Sequence, residues 1–346
     1  MGQEYQRRGL ILLALAVCLT GATAAWAEPL APYPSPEAML AEVYQLEKDF
    51  PGQAQVLEYG RSKEGRPLLA VRISKNDGQP RPAAMVAGNI HGVEYIGNRL
   101  AMSVARRLLL DSQTDPWIGS LLERMDFYVL PCINPDGYAR TWTEQGGGAI
   151  KDMRRNKDGV DLNRNFPMPG KSRIPINWAG SKDPKSAMYR GPEPLSEPET
   201  RAVRDFVQGK PIFASIDFHS VQGAFIPAKC ENRQCVREYK RMAQAFAAAQ
   251  PEVKYFRFQF RWLDTFTGEM EDTLYYEFGI RGVCVEIGKA KLNRPRQKET
   301  GKVFWLYNPE DPERWVRNDR DAALKALEAA YGLDQGRPAP EAQRRH

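Results

Sequence analysis

Ala83-Ala84-Met85-Val86-Ala87-Gly88-Asn89-Ile90-His91-Gly92-Val93-Glu94 joins a short apolar run directly to a His-x-x-Glu motif. A run of that length and character reads as a strand ending near Ala87, buried on both faces of a sheet. The motif then falls on the loop at the strand's carboxyl end, where open α/β sheets bind their ligands. The chain has three histidines, and His346 is its last residue. The remaining one, His219 in Asp217-Phe218-His219-Ser220, follows a second strand-like run, Ile212–Phe218, in the same relation. Imidazole is the side chain most used for transition metals and for proton transfer near neutral pH. Two strand-end histidines and Glu94 can therefore meet at one ion. Zinc suits two imidazoles and a carboxylate, and three protein ligands leave a position open for water. Alone, His-x-x-Glu is weakly specific.

Outward from this stretch, strand-like runs recur at Leu69–Ile73, Phe127–Ile133 and Gly282–Ile287. Helical stretches are expected at 37–49, Arg99–Leu110, around Arg237–Ala248 and near Ala322–Tyr331. Strands alternating with longer helices predict an α/β fold: a single domain with a central mixed, mostly parallel β-sheet flanked by helices on both faces. With 346 residues, 42% of them hydrophobic, the chain can bury a sizeable core. No repeat or low-complexity linker divides it, so one domain from about 33 to 332 is expected. Long loops at 144–150 and 167–194 are placed to line a site. Residues 335–346 are polar and contain proline, and read as a disordered tail. The net charge of +6 is modest, and no aromatic-studded basic stretch accompanies it, which argues against nucleic-acid binding.

At the amino end Arg7-Arg8 precede an apolar run, Leu10 to Leu19, and then small residues ending Ala25-Trp26-Ala27. This is the layout of a secretory signal peptide over 1–27, cleaved after Ala27. The apolar run is too short to span a bilayer, so a soluble secreted or periplasmic protein without a stable membrane anchor is expected, most simply a monomer. Of the four cysteines beyond it, Cys132 and Cys284 lie in apolar runs and read as buried thiols. Cys230 and Cys235 flank a short polar loop; a disulfide is the expected pairing in an oxidising compartment, with thiolate metal ligation as its rival.

Further motifs surround the histidines in order: Glu58-Tyr59-Gly60-Arg61-Ser62-Lys63-Glu64-Gly65-Arg66-Pro67, Asn134-Pro135-Asp136-Gly137, and Gly159-Val160-Asp161-Leu162-Asn163-Arg164-Asn165-Phe166-Pro167. Together they resemble the zinc metallocarboxypeptidase family of the carboxypeptidase A/B and carboxypeptidase T type, from about Tyr33 through Glu286. The resemblance implies one Zn²⁺ held by His91, Glu94 and His219, and a peptide substrate with a free terminal carboxylate. That carboxylate would be gripped by Asn163 and Arg164, since a guanidinium fork binds both oxygens of a carboxylate. Arg154 matches the family's oxyanion arginine, with Arg155 one position away, and Glu286 matches its general base. The residues support the last assignment independently. Glu286 is an acid inside the apolar run Gly282–Ile287, where an unpaired carboxylate is costly. The alternative there is a buried ion pair with an arginine; for Asn163-Arg164 it is a solvated loop, and for Asp161 a supporting role is expected. The resemblance also implies that the stretch from Ala27 to His91 is too short for the pro-domain of digestive members.

Two positions depart from the family. Counting back from Glu286 without gaps puts Asp264 where the family has a substrate-closing tyrosine; Tyr255 and Trp262 are nearby but out of register. Val221 follows His219-Ser220, where pancreatic members often have tyrosine. The same register puts Glu271 at the specificity position, with Asp264, Glu269 and Asp272 near it. An acidic pocket favours lysine, arginine or diamino-acid ends, including cell-wall peptides; a solvated acidic loop is the bland alternative. Two rival functions are an amidase cutting the γ-D-glutamyl–diaminopimelate bond of murein peptides and a catalytically dead peptide-binding module.

Overall fold

Eight strands and eleven α-helices make up the described part of the computed structural model, which covers residues 29–170, 180–257 and 267–334. The expected signal peptide and tail, and with them Trp262 and Asp264, lie outside those residues. The strands are β1 (Ala54–Arg61), β2 (Pro67–Ile73), β3 (Ala83–Gly88), β4 (Asp126–Leu130), β5 (Ile212–Ser220), β6 (Ala224–Pro227), β7 (Phe256–Arg257) and β8 (Arg281–Ile287). They form one mixed sheet in the order β1-β2-β4-β3-β5-β8-β6-β7. It is parallel across β4-β3-β5-β8 and antiparallel where β2 and β6 join that block.

The interior strands explain the pattern. All six residues of β3 and all nine of β5 are buried, as expected for parallel strands covered on both faces. Yet β5 alternates: Ala214, Ile216 and Phe218 belong to the larger core, whereas Ser215, Asp217 and His219 point to the other face. The pairing with β8 sets His219 beside Glu286 and Asp217 beside Cys284, so that face carries a polar column through a buried sheet.

Helices α1 (Pro36–Asp49), α2 (Tyr95–Leu110), α3 (Pro116–Arg124), α4 (Pro135–Thr143), α5 (Ile150–Arg154) and α6 (Pro198–Val207) are followed by α7 (Arg233–Ala249), α8 (Met270–Phe278), α9 (Ala290–Thr300), α10 (Phe304–Tyr307) and α11 (Pro312–Asp334). The larger core joins Leu100, Val104 and Leu108 of α2 to Phe218, Trp315 and Leu327. A second core on the opposite face holds Met85, Ala87, Phe166, Phe206 and Leu274. Helices thus cover both faces. The third expected strand, Phe127–Ile133, ends earlier, at Leu130, because Pro131 has no N–H to donate to a ladder. Helix α7 starts before Arg237 because Asn232 caps it, accepting the Cys235 N–H at 2.9 Å. Cys230 and Cys235 are joined in a disulfide, and Cys132 and Cys284 are buried free thiols.

Asp319 of α11 ties this scaffold to the site. It accepts hydrogen bonds from Tyr255 Oη (2.6 Å), Gln250 Nε2 (2.8 Å) and Asn318 Nδ2 (2.7 Å). The Tyr255 hydroxyl in turn accepts the Gly288 N–H at 2.9 Å, just beyond the end of β8. Burial lifts the Asp319 carboxyl from 3.8 to about 7, despite those donors. A folded-state pKa above the unfolded one means stability that is present at acid pH and is lost as pH rises through the folded value. Denaturant midpoints should therefore fall as pH rises from 3.8 to about 7 and level off above it, and Asp319→Asn should flatten that slope. A slope unchanged in the variant would remove Asp319 as its source.

Candidate active site and metal centre

Both histidines stand at the carboxyl ends of neighbouring strands, His91 on the loop after β3 and His219 near the end of β5. The turn holding His91 is tightly built. Asn89 adopts a left-handed φ of 56°, which asparagine tolerates better than most residues, and its Nδ2 donates to the His91 carbonyl at 3.1 Å. A Cβ at Gly92 would run into the Gly137 backbone, and one at Gly97 would run into the Phe218 carbonyl. Only glycine lets the start of α2 pass this close to α4 and to β5. That passage brings Glu94, at the amino end of α2, against both rings.

The three side chains are almost fully buried and converge on one point. Glu94 Oε1 lies 3.0 Å from His91 Nδ1, Glu94 Oε2 lies 3.2 Å from His219 Nδ1, and the two Nδ1 atoms are 3.1 Å apart. Each ring is fixed from behind: His91 Nε2 is 3.2 Å from Asp161 Oδ1, and His219 Nε2 is 2.8 Å from Asp217 Oδ2. With protons on Nε2 donated to those carboxylates, both Nδ1 lone pairs would be free to meet a cation beside Glu94. That is the arrangement a divalent cation needs. Burial works against the Glu94 charge, but the two imidazoles more than offset it and hold the carboxyl well below the ordinary range.

Asp161 links this centre to Arg154, whose Nε donates to Asp161 Oδ2 at 2.9 Å and whose Nη1 is 3.7 Å from Glu94 Oε1. Arg155 is turned away and donates Nη1 to the carbonyls of Pro184 and Ser186, both at 3.0 Å. Of the two neighbours, Arg154 is the one that reaches the centre. Asp161→Asn should loosen the His91 ring, and loss of such a supporting carboxylate typically costs about 10–100-fold in metal affinity. Competition with a metal-sensitive chelator checks this; an unchanged affinity would leave Asp161 a purely structural role.

Asp161 also starts the short turn Leu162–Arg164 by accepting the Asn163 N–H at 3.1 Å. Asn163 Oδ1 accepts the Met270 N–H at 2.8 Å, and Arg164 Nη1 lies 3.2 Å from Glu269 Oε1, so the turn docks on the amino end of α8. Glu286 projects from the carboxyl half of β8 beside His219. Its Oε1 accepts weakly from Gln222 at 3.4 Å, while the buried Oε2 has no hydrogen-bond partner among the described residues. Burial and the Glu94 charge raise its carboxyl to about 6, suited to a group that takes and returns a proton.

Glu271 is 2% exposed, and neither carboxylate oxygen is hydrogen-bonded among the described residues. Burial, with the charges of Asp217 and Glu269, raises it to about 8. With Cys284 and His219 it forms a second close group of metal-type donors. Burial raises the Cys284 thiol well above its usual value, so this group offers less anionic character than the first. Tyr307 escaped the sequence reading. It is half-buried on α10, close enough to Glu94, Arg154 and Glu286 for their charges to act on its phenol. No motif marks it, because α10 reaches the site through tertiary contacts: Phe304 and Trp305 pack against Tyr33 and Tyr95, and Asn308 at its end accepts the Ile96 N–H at 3.0 Å and donates to the Val93 carbonyl at 2.8 Å.

Fold and site together define an α/β protein with two strand-end histidines and one glutamate close enough to share a metal ion. The chain belongs to the zinc carboxypeptidase family: a family model described as "Zinc carboxypeptidase" matches residues 39–306. Among curated relatives, carboxypeptidase A4 of Mus musculus is 34% identical over 192 residues, covering 53% of this chain and 44% of the relative. Carboxypeptidase A2 of Rattus norvegicus is 33% identical over 225 residues, covering 61% and 51%. The chain thus spans about half the length of these relatives. The crystal structure of carboxypeptidase A from Helicoverpa armigera superposes with a TM-score of 0.69 at 24% identity, over 88% of this chain and 75% of that one, and supports the fold.

The donor set fits the family's metal. Two imidazole nitrogens and one carboxylate, all from buried and braced side chains, are the zinc ligand types of a site with an open position.

Proposed function

We propose that this chain is an exported zinc-dependent metallocarboxypeptidase that hydrolyses the C-terminal peptide bond of peptides, favouring basic or diamino-acid ends. The reading rests on one observation above the others: His91, Glu94 and His219 converge, with Glu286 beside them in β8 register and Arg154 reaching in through Asp161. Zinc held by that triad would polarise the scissile carbonyl and make the attacking water more acidic. Glu286 accepts the proton of that water and returns it to the leaving amine. Arg154, held charged by Asp161 and Glu94 against the cost of its burial, faces the oxygen on which negative charge develops. Asn163 and Arg164 hold the terminal carboxylate, placing the last peptide bond between Glu286 and Arg154.

Glu269, just before the first turn of α8 and the partly exposed acid among Glu269, Glu271 and Asp272, supports the preference for a cationic end. Export is supported by residues 1–27 and by the Cys230–Cys235 disulfide, a bond of oxidising compartments. No helix among the described residues is long and apolar enough to cross a membrane. The test is a residue-release assay on the purified chain with peptides ending in Lys, Arg, Phe and Glu, a murein tripeptide beside them, and a chelator control. Release that is fastest from basic ends and abolished by the chelator is expected. Cleavage confined to the murein γ-D-glutamyl bond would replace this reading with the amidase, and no cleavage of any substrate would replace it with a binding module.

A further inference from the structure

Glu94 stands at the N-cap position of α2, yet its side chain makes no capping hydrogen bond. A helix leaves its first N–H groups without partners, and an N-cap side chain normally accepts that of the second or third helical residue. Here the carboxylate is used elsewhere. Oε1 meets His91, while Oε2 meets His219 and accepts the Ser220 N–H at 3.2 Å. The second residue of the helix, Ile96, gives its N–H instead to Asn308 Oδ1 at 3.0 Å, across 212 residues of sequence. Asn308 Nδ2 donates to the Val93 carbonyl at 2.8 Å. One side-chain amide thus grips the chain on both sides of Glu94.

Asn308 is itself fixed. It is fully buried, and its backbone N–H and its Nδ2 each donate to the Phe304 carbonyl at 3.0 Å. The next carbonyl, that of Pro309, accepts Tyr33 Oη at 2.7 Å, and the Leu306 carbonyl accepts Asn293 Nδ2 at 3.0 Å. The amide therefore reaches the turn from a segment held on both sides.

We propose that Asn308 is a positioning residue of the metal centre: it caps α2 in place of Glu94 and so leaves the Glu94 carboxylate to the ion. This rests on the reading of His91, Glu94 and His219 as the zinc ligands. Without the amide, the Ile96 N–H is a buried donor lacking its partner, a costly state, and an acceptor carboxylate stands two residues before it. The positive end of α2 draws that carboxylate the same way. Helix and metal then compete for one side chain, and metal affinity falls.

The test measures zinc affinity by competition with a chromophoric chelator, and the visible spectrum of the cobalt-substituted protein. The samples are wild type, Asn308→Leu, Asn308→Asp and Leu108→Ala. Leu108, in the larger core near the other end of α2, controls for lost stability alone. Asn308→Leu fills similar space without polar atoms. It should lower zinc affinity about 10–100-fold, as loss of a group that orients a ligand typically does, and shift the cobalt bands as Glu94 withdraws. Asn308→Asp keeps an acceptor for Ile96 and should stay within about threefold of wild type, below that range. Leu108→Ala should keep both affinity and spectrum. Should Asn308→Leu not fold, Asn308→Ser, too short to hold both partners, should show the same loss. An affinity within about threefold in the variant lacking the amide, or an equal loss in Leu108→Ala or Asn308→Asp, would overturn the proposal and leave the zinc site standing. A wild type that binds no zinc would overturn the reading of the site, and the proposal with it.

Discussion

A Glu286→Gln variant is expected to keep its zinc and lose about 10²–10⁴-fold in kcat, the usual contribution of a positioned general acid–base. Glutamine fills the same space and can keep the contact with Gln222, so the strand pairing that sets residue 286 beside His219 should survive. What it lacks is the ability to take a proton. Burial and the neighbouring Glu94 charge have already brought the Glu286 carboxyl to about 6, where accepting a proton and giving it back are both easy. Metal analysis and steady-state kinetics on one preparation check this. A variant with kcat within about threefold of wild type, below the usual acid–base contribution, would mean that proton transfer runs through another group.

Replacing either interior histidine by alanine is expected to cost more metal affinity than the about 10–100-fold assigned to a supporting carboxylate, and activity with it. The two should differ in what else they cost. His91→Ala leaves Asp161 paired with Arg154 at 2.9 Å, so the fold should tolerate it. His219→Ala leaves Asp217 fully buried without the imidazole 2.8 Å away, and its other oxygen is already unbonded among the described residues. Breaking a buried pair from one side costs about 3–5 kcal/mol. Denaturant melts should therefore show His219→Ala clearly less stable than His91→Ala, with both lacking zinc. Full zinc in either variant would remove that histidine from the centre.

The parts of this account legible in the sequence are those encoded locally. His91 and Glu94 lie three residues apart after an apolar run, and His219 ends another, so the strand that positions each is written beside it. Glu286 stood out as an acid in an apolar strand. The central strands were legible because burial on both faces demands continuous hydrophobicity; β1, β6 and β7 were not, since an edge strand and strands of four and two residues carry little pattern. The choice between Arg154 and Arg155 needed tertiary contacts, because it depends on carbonyls of Pro184 and Ser186 about 30 residues downstream. The same holds for Glu269, which meets Arg164 across a sequence separation of 105. Counting without gaps drew attention to Glu271. Packing buries that side chain and leaves Glu269, two residues earlier, toward the anchor.

The central claim, one zinc at His91, Glu94 and His219 carrying C-terminal peptide hydrolysis, is tested most directly by stripping the purified chain with a chelator and titrating zinc back. Residue release from a lysine-ended peptide and bound metal would be read on the same samples. Activity should be absent in the stripped protein and rise in proportion to bound zinc, reaching its plateau at one ion per chain. Residue release that persists in the metal-free protein, or a plateau that does not follow the first ion, would contradict it.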